Sequence, residues 1–265
     1  ARAGDEMLLL TNMGRGFRRM LADIPAQSAD QPASKGQWPS AEEEMAPGER
    51  PTTVITRSAP PRFWTIITQR GYVQRLVRVD CDQKIARGDP LLKSPFRHDA
   101  PAAIVSGDKH DLLVFTRWGN AVRFSQRTIE THGSTALKLE PGDQVVAALA
   151  LDASAPNDSS EILIATAAGY GMRRLSTHIQ SRTRLGGAGK AIIQAHDVLA
   201  VFDSSLSANS APQRVLREPE LLFVTYGGRL LFAPTGDVPL HERLSSGTQL
   251  HDLSRDPAVA VTMIR

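Results

Sequence analysis

A single cysteine, Cys81, stands among the 265 residues. That excludes an intrachain disulfide and any zinc site built from several thiolates, and it fits a reducing, cytosolic setting. No apolar run approaches the roughly 18 residues a membrane span needs, so no membrane partner is expected. The N-terminus, Ala1-Arg2-Ala3-Gly4-Asp5, lacks both a starting Met and a signal-type apolar segment, and the chain is expected to be a soluble piece of a longer protein. Helical periodicity is scarce, with no long amphipathic stretch. Catalytic signatures are missing as well. Gly186-Gly187-Ala188-Gly189-Lys190-Ala191 differs from a phosphate-binding P-loop, because Arg184 stands for its first glycine and Ala191 for its Ser/Thr. The seven histidines keep no metal-ligand spacing. No catalytic residue, metal or cofactor is expected.

Acidic residues are missing from one interval in particular. Net charge is only +3, too small by itself to imply a nucleic-acid partner. Yet nothing acidic lies between Glu161 and Asp197, an interval holding Arg173, Arg174, Arg182, Arg184 and Lys190. Such a local excess focuses field on a polyanion. Residues 1 to 60 are balanced instead, with the run Glu42-Glu43-Glu44 among their acids.

What the chain does contain is a repeat. Five times a short apolar run ends in Thr-x-x-Gly and reopens into a second strand: Thr11 to Gly14, Thr68 to Gly71, Thr116 to Gly119, Thr166 to Gly169 and Thr225 to Gly228. The threonines lie 57, 48, 50 and 59 positions apart, the period of small stacked sheets in a propeller-like array. The preceding runs, such as Leu112-Leu113-Val114-Phe115 and Ile162-Leu163-Ile164-Ala165, are too short for helices and read as strands covered on both faces. The closing glycine is what a hairpin loop ending at positive φ requires. Weaker closing strands are expected at Val54-Ile55, Ala102 to Val105, Gln144 to Leu149, Val198 to Val201 and Val259 to Thr262, giving each unit about four strands. The fold class is all-β, a single repeat domain over 1–265 with blades near 5–57, 62–106, 110–152, 160–204 and 218–265. The polar stretches Gln27 to Arg50, Ala153 to Ser160 and Ser204 to Arg214 read as surface connectors.

Four residues past each glycine stands Arg18, Arg75, Arg123 and Arg173 in the first four units, and Phe232 in the fifth. Side chains alternate along a strand, so one face packs while the other carries charge. Arg19 and Arg174 extend the row. The expectation is a series of guanidinium groups directed toward the rim; charged strand edges that discourage aggregation are the ordinary alternative.

These residues resemble a known family. Ala167 to Arg174, followed by Ser181-Arg182-Thr183-Arg184-Leu185-Gly186-Gly187-Ala188-Gly189-Lys190, resembles a blade of the C-terminal domain of the bacterial type IIA topoisomerase A subunit, found in DNA gyrase and topoisomerase IV. Gln69 to Arg75 and Val224 to Leu230 resemble its recurrent hairpin, and Leu139-Glu140-Pro141-Gly142-Asp143 the turn before its final strand. The resemblance implies a β-pinwheel whose neighbouring blades exchange strands, with duplex DNA bent on a basic outer rim. It also implies a non-catalytic, cytoplasmic accessory role beside the ATPase B subunit of the topoisomerase and the catalytic region of the same A subunit. An intact gyrase heptapeptide, Gln-Arg-Arg-Gly-Gly-Lys-Gly, is absent; the nearest text is Gln180 through Lys190, in the fourth unit. Weak wrapping or simple bending is the corresponding expectation.

The DNA-contacting residues expected on these grounds are Arg18, Arg19, Arg75, Arg123, Arg173, Arg174, Arg182, Arg184 and Lys190. Guanidinium groups suit repeated backbone contacts because they pair bidentately with phosphate and stay charged. Glycines around Arg184 and Lys190 are expected to let main-chain amides approach phosphate. Two further readings belong to other classes: a propeller used as a protein-contact scaffold, and a propeller hydrolase, for which no convergent acid, base or metal groups are found.

Overall fold

The structure, a computed structural model, describes residues 4–24, 45–59, 61–106, 111–151, 160–204 and 218–264. Glu42-Glu43-Glu44 and much of the three connectors lie outside the described residues. The chain divides into two compact units, Ala1–Asp108 with Glu130–Gly133, and Lys109–Ile129 with Ser134–Arg265. Among the described residues both are built mainly of short antiparallel strands.

The first unit holds two blades. β1 (Glu6–Thr11) pairs with β2 (Gly16–Met20) and β3 (Pro51–Arg57). β4 (Phe63–Thr68) pairs with β5 (Tyr72–Val77) and, after the helix α1 (Arg78–Arg87), with β6 (Pro101–Ser106). Leu8, Leu10, Trp64, Ile66 and Leu76 form their shared core with Cys81.

Helix α1 is an element that periodicity does not announce. Only Cys81 and Ile85, one turn apart, are apolar and turned inward. Its end signals are clearer. Asp80 sits in the first turn, and Lys84 and Arg87 in the last, each matching the macrodipole. Gly88 ends the helix at φ 71° and donates its N–H to Ile85. Burial pushes the Cys81 thiol up to about 12, so it is a packing residue rather than a reactive one.

The second unit holds three blades. β7 (Asp111–Thr116) pairs with β8 (Asn120–Ser125) and β11 (Val145–Leu151), after the short strands β9 (Ser134–Thr135) and β10 (Leu137–Lys138). β12 (Glu161–Thr166) pairs with β13 (Tyr170–Leu175) and, beyond β14 (Ser181–Arg182), β15 (Gly187–Ala188) and β16 (Lys190–Ala191), with β17 (Val198–Asp203). β18 (Glu220–Thr225) pairs with β19 (Leu230–Pro234) and, past β20 (Thr248–Gln249), with β21 (Ala258–Ile264).

Unbroken apolar runs follow from this stacking, because a central strand serves two cores at once. Along β12, Ile162 and Ile164 face the blade before, with Leu113 and Phe115. Leu163 and Ala165 face the blade after, with Leu221 and Phe223. All four are at most 1% exposed, and each of the two isoleucines and the leucine contributes about 1.5 to 3 kcal/mol of burial.

Neighbouring blades also exchange strands. The segment after β13 sends β14 and β16 back onto β8, and the segment after β19 sends β20 back onto β13. In the first unit, Arg15 bridges Pro90, which follows α1. We call these donated segments straps.

Candidate nucleic-acid interface

The five Thr-x-x-Gly turns share one hydrogen-bond plan. Each threonine carbonyl accepts the N–H of the glycine three residues on, at 2.9 to 3.2 Å. In the last four turns the threonine hydroxyl also accepts the N–H of Tyr72, Asn120, Tyr170 or Arg229. The glycines have φ between 76° and 88°, a region where a Cβ is penalised. A third member was not singled out from the sequence. An acidic residue just before the closing strand of every blade reaches across to the turn. Glu49 accepts from the Thr11 hydroxyl at 2.6 Å. Asp99, Asp143 and Asp197 accept from the N–H groups of Arg70, Trp118 and Ala168. Asp256 accepts from the Thr225 hydroxyl, the Gly227 N–H and Arg229 Nε. The signal is visible once the closing strands are aligned: five acids, each one or two residues ahead of Pro51, Pro101, Val145, Val198 or Ala258.

The register arginines sit differently from a bare rim row. Pairing places each one diagonally across from the first residue of the preceding strand. That residue is acidic in three blades. Arg18 Nε meets Glu6 at 3.1 Å and its Nη1 meets Asp82 at 2.8 Å. Arg123 meets Asp111 at 2.8 Å and is only 8% exposed. Arg173 meets Glu161 at 2.9 Å and donates Nε to the Val238 carbonyl. In the second blade Phe63 stands where the acid would be, and Arg75 lies over its ring at 3.9 Å from the centroid. Arg174 is also buried, donating to the carbonyls of Arg243 and Glu242, and burial lowers its pKa from the ordinary arginine value. Arg19 is half-buried and donates to the Arg18 carbonyl. The expected outward row is corrected at Arg123 and Arg174, which are buried and offer no open guanidinium face. Arg18 and Arg173 are half-exposed and paired with acids of their own blades, and Arg19 and Arg75 are half-exposed.

The strap of the fourth blade behaves otherwise. Arg184 and Lys190 are exposed and Arg182 is half-exposed. β14 runs parallel to β8, with Ser181 opposite Arg123, while β16 runs antiparallel to it, with Lys190 opposite Ala121. Arg182 and Lys190 line one shallow hollow of about 120 Å³ with Gln180 and Ser181. β15 pairs with β10, which sets Lys138 opposite Ala188 and adds a third fully exposed cation beside the strap. Lys138 escapes sequence reading because it lies about 50 residues away along the chain. No ion pair is found for these four side chains among the described residues.

The glycines here have an internal use. A Cβ on Gly187 would stand 2.5 Å from the Arg182 guanidinium, and one on Gly189 would stand 2.8 Å from Asn120 Cβ. Gly189 lets the strap lie flat on β8, and Gly187 leaves room for the strap's own Arg182. Gly186, at φ 81°, turns the strap and donates its N–H to the Ala136 carbonyl.

Among the described residues no group of three or more His, Cys, Asp or Glu is placed to hold a metal ion, and no helix is long and apolar enough to cross a membrane. No protein-family model matches the chain. It is 26% identical over 267 aligned residues to the DNA gyrase A subunit of Staphylococcus aureus strain MRSA252, and equally to that of strain COL. The alignment covers 97% of the chain and 28% of either relative, so the chain spans little more than a quarter of their length. Two solved structures share the fold. A DNA gyrase A C-terminal domain matches at TM-score 0.72 and 19% identity, over all of this chain and 84% of that one. The C-terminal domain of a DNA topoisomerase IV matches at TM-score 0.71 and 17% identity, over 99% and 80%. In sequence along nearly its whole length, and in its strand-exchanging β fold, the chain resembles the C-terminal domain of the type IIA topoisomerase A subunit.

Proposed function

We infer that this chain is a non-catalytic, duplex-DNA-binding and DNA-bending accessory domain of a cytoplasmic type IIA topoisomerase A subunit. In that role it serves the ATPase B subunit together with the catalytic region of its own polypeptide, and needs no cofactor of its own. One observation carries the reading: the cluster of Lys138, Arg184 and Lys190, all exposed, with half-exposed Arg182, and without ion pairs among the described residues. Cations held by carboxylates must lose those partners before gripping phosphate, whereas unpaired surface cations release counterions directly. Arg18 and Arg173, half-exposed but paired, are secondary contacts. Buried Arg123 and Arg174 act by holding their blades in shape.

Contacts of this type go to the phosphate backbone, so binding is nearly sequence-blind and favours bendable duplex. The test is a titration of random linear duplex across a salt series. Wild type should weaken with a log-log slope of about 0.9 per phosphate contacted. Replacing all four strap cations by Ser should lower affinity and flatten that slope. Arg123→Met should lower thermal stability and leave the slope unchanged. Full affinity in the fourfold variant would move the DNA contacts off the strap, and salt-independent or absent affinity in the wild type would leave the protein-scaffold reading in place.

A further inference from the structure

The loop that carries the second blade from its strap to β6 is longer and more basic than closing the blade requires. Leu91, Ile192 and Leu250 hold the same place in three straps, each donating its N–H to a turn-glycine carbonyl, Gly14, Gly119 or Gly169, at 2.8 to 2.9 Å. From there the chain must reach the acid that locks the turn. Ile192 lies five positions before Asp197 and Leu250 six before Asp256, but Leu91 lies eight before Asp99. The longer path holds Lys93-Ser94-Pro95-Phe96-Arg97-His98, in which Lys93, Phe96, Arg97 and His98 are exposed.

Bonds within the loop hold its aromatic ring in place. Asp99 accepts from the Arg70 N–H at 3.0 Å and from the Ser94 hydroxyl at 2.5 Å, and Ser94 Oγ accepts the Phe96 N–H at 3.2 Å. Arg70, at the tip of the turn, donates Nη1 to the Arg97 carbonyl at 3.2 Å and lays its guanidinium over the Phe96 ring, 5.7 Å from the centroid. Met13, Trp118, Ala168 and Gly227 stand at that place in the other turns. His98 has φ 53°, the one positive value among the described non-glycine residues, a conformation that side chains penalise and that gathers at ligand-binding loops. Phe96 itself is 37% exposed and lies outside the core of its unit. A wedge driven between stacked base pairs must present both faces, and here one face carries Arg70. A platform needs a single open face, on which a base released from its stack can lie.

We propose that Phe96, with Arg70, Lys93 and Arg97, forms a stacking site for an unpaired base of single-stranded DNA. The base lies on the ring face opposite the Arg70 guanidinium, and the phosphates flanking it take Lys93 and Arg97. Charge favours this occupant: Arg70, Lys93 and Arg97 are exposed and have no ion pair among the described residues, while the carboxylate of Asp99 is engaged by Arg70 and Ser94. The ligand differs from the duplex assigned to the fourth strap, and the site does not rest on that reading.

The test uses the whole chain with a short labelled oligothymidine and an abasic strand carrying the same number of phosphates, followed by fluorescence anisotropy at one low salt concentration. The strand with bases should bind about fivefold or more tightly, the scale of one base on an aromatic ring. Phe96→Ala should abolish that preference without changing affinity for the abasic strand, and Phe96→Trp should keep it. Photo-crosslinking of the wild-type chain to a strand containing iodinated deoxyuridine should attach at Phe96, as located by mass spectrometry, and needs no variant. Equal affinity for the two strands, full preference in Phe96→Ala, or cross-links confined to residues outside 93–98 would overturn the proposal. Oligoglutamate of equal charge binding as tightly as oligothymidine would also overturn it, and make the loop a surface for acidic peptides. The same preference is expected in the fourfold strap variant, so loss of duplex binding there leaves this site unaffected; loss of the preference would move the stacking off this loop.

Discussion

The recurrent acid is the residue that ties each turn to the strand closing its blade, and its protonation state is set by the bonds it accepts. Hydrogen bonds from the Thr225 hydroxyl, the Gly227 N–H and Arg229 hold the Asp256 carboxyl below its usual value of 3.8. For Glu49, burial alone would raise the value. Hydrogen bonds from Thr11 and the Ala46 N–H, with the charge of Arg15, outweigh it and leave the group below 4.5. A folded-state pKa below the unfolded one means that the unfolded chain binds the proton more readily. The contribution is therefore complete above the ordinary carboxylate range and is lost as pH falls through and below it. Thermal melts between about pH 5 and about pH 2 should show the melting temperature dropping as acid is added. Asp256→Asn should melt lower than wild type at neutral pH and show a shallower decline in acid. An undiminished acid slope in that variant would mean that this carboxylate is not linked to folding.

At the scale of elements, the turn glycines separate two effects that usually travel together. All five have positive φ, so alanine at any of them carries a left-handed penalty of about 1 to 2 kcal/mol. Only some also back onto a strap. A Cβ on Gly169 would meet the His251 carbonyl oxygen at 2.3 Å, and Gly228 has open space. Gly228→Ala should therefore cost the conformational term alone. Gly169→Ala should cost about 3 kcal/mol or more, with overpacking added, and should speed amide exchange in β20; equal losses in denaturant melts of the two variants would contradict the strap contact.

The glycines, the threonines and the apolar first strands were legible in the sequence because hairpin turns and doubly covered strands each leave a local signature. The exchanged strands left none. β14, β15, β16 and β20 are two residues long, too short for any periodicity, and they exist only because a neighbouring edge accepts them. Helix α1 hid for a related reason, showing only Cys81 and Ile85 to the core. The arginine register was visible, but its meaning was not. The diagonal from Arg123 to Asp111 depends on strand pairing, and the spacing of 12 residues between them has no significance until the hairpin closes.

On the scale of the whole chain, the balance between structural and available charge decides how DNA would be handled. A formal charge of +3 gives little long-range attraction; the buried pair Arg123–Asp111 withdraws one arginine from any phosphate track, and the pairs Arg18–Glu6 and Arg173–Glu161 leave two more as secondary contacts only. What remains concentrated is the strap with Lys138, Arg182, Arg184 and Lys190. Bending duplex through tens of degrees over 20 to 30 base pairs costs on the order of 1 to 6 kcal/mol, which a handful of phosphate contacts can offset at low salt but not at high salt. A full wrap spreads that cost over a longer path and needs contacts repeated along it. The expected behaviour is local bending with little or no stable wrap, in keeping with the missing heptapeptide. Ligation of nicked circular DNA in the presence of the purified chain measures this directly. The linking-number distribution should shift by well under one turn per bound molecule at low salt and return to that of free DNA as salt rises. A shift near one full turn of fixed hand would require phosphate-binding positions beyond the strap cluster, and the half-exposed arginines Arg18, Arg19, Arg75 and Arg173 would be the first to replace.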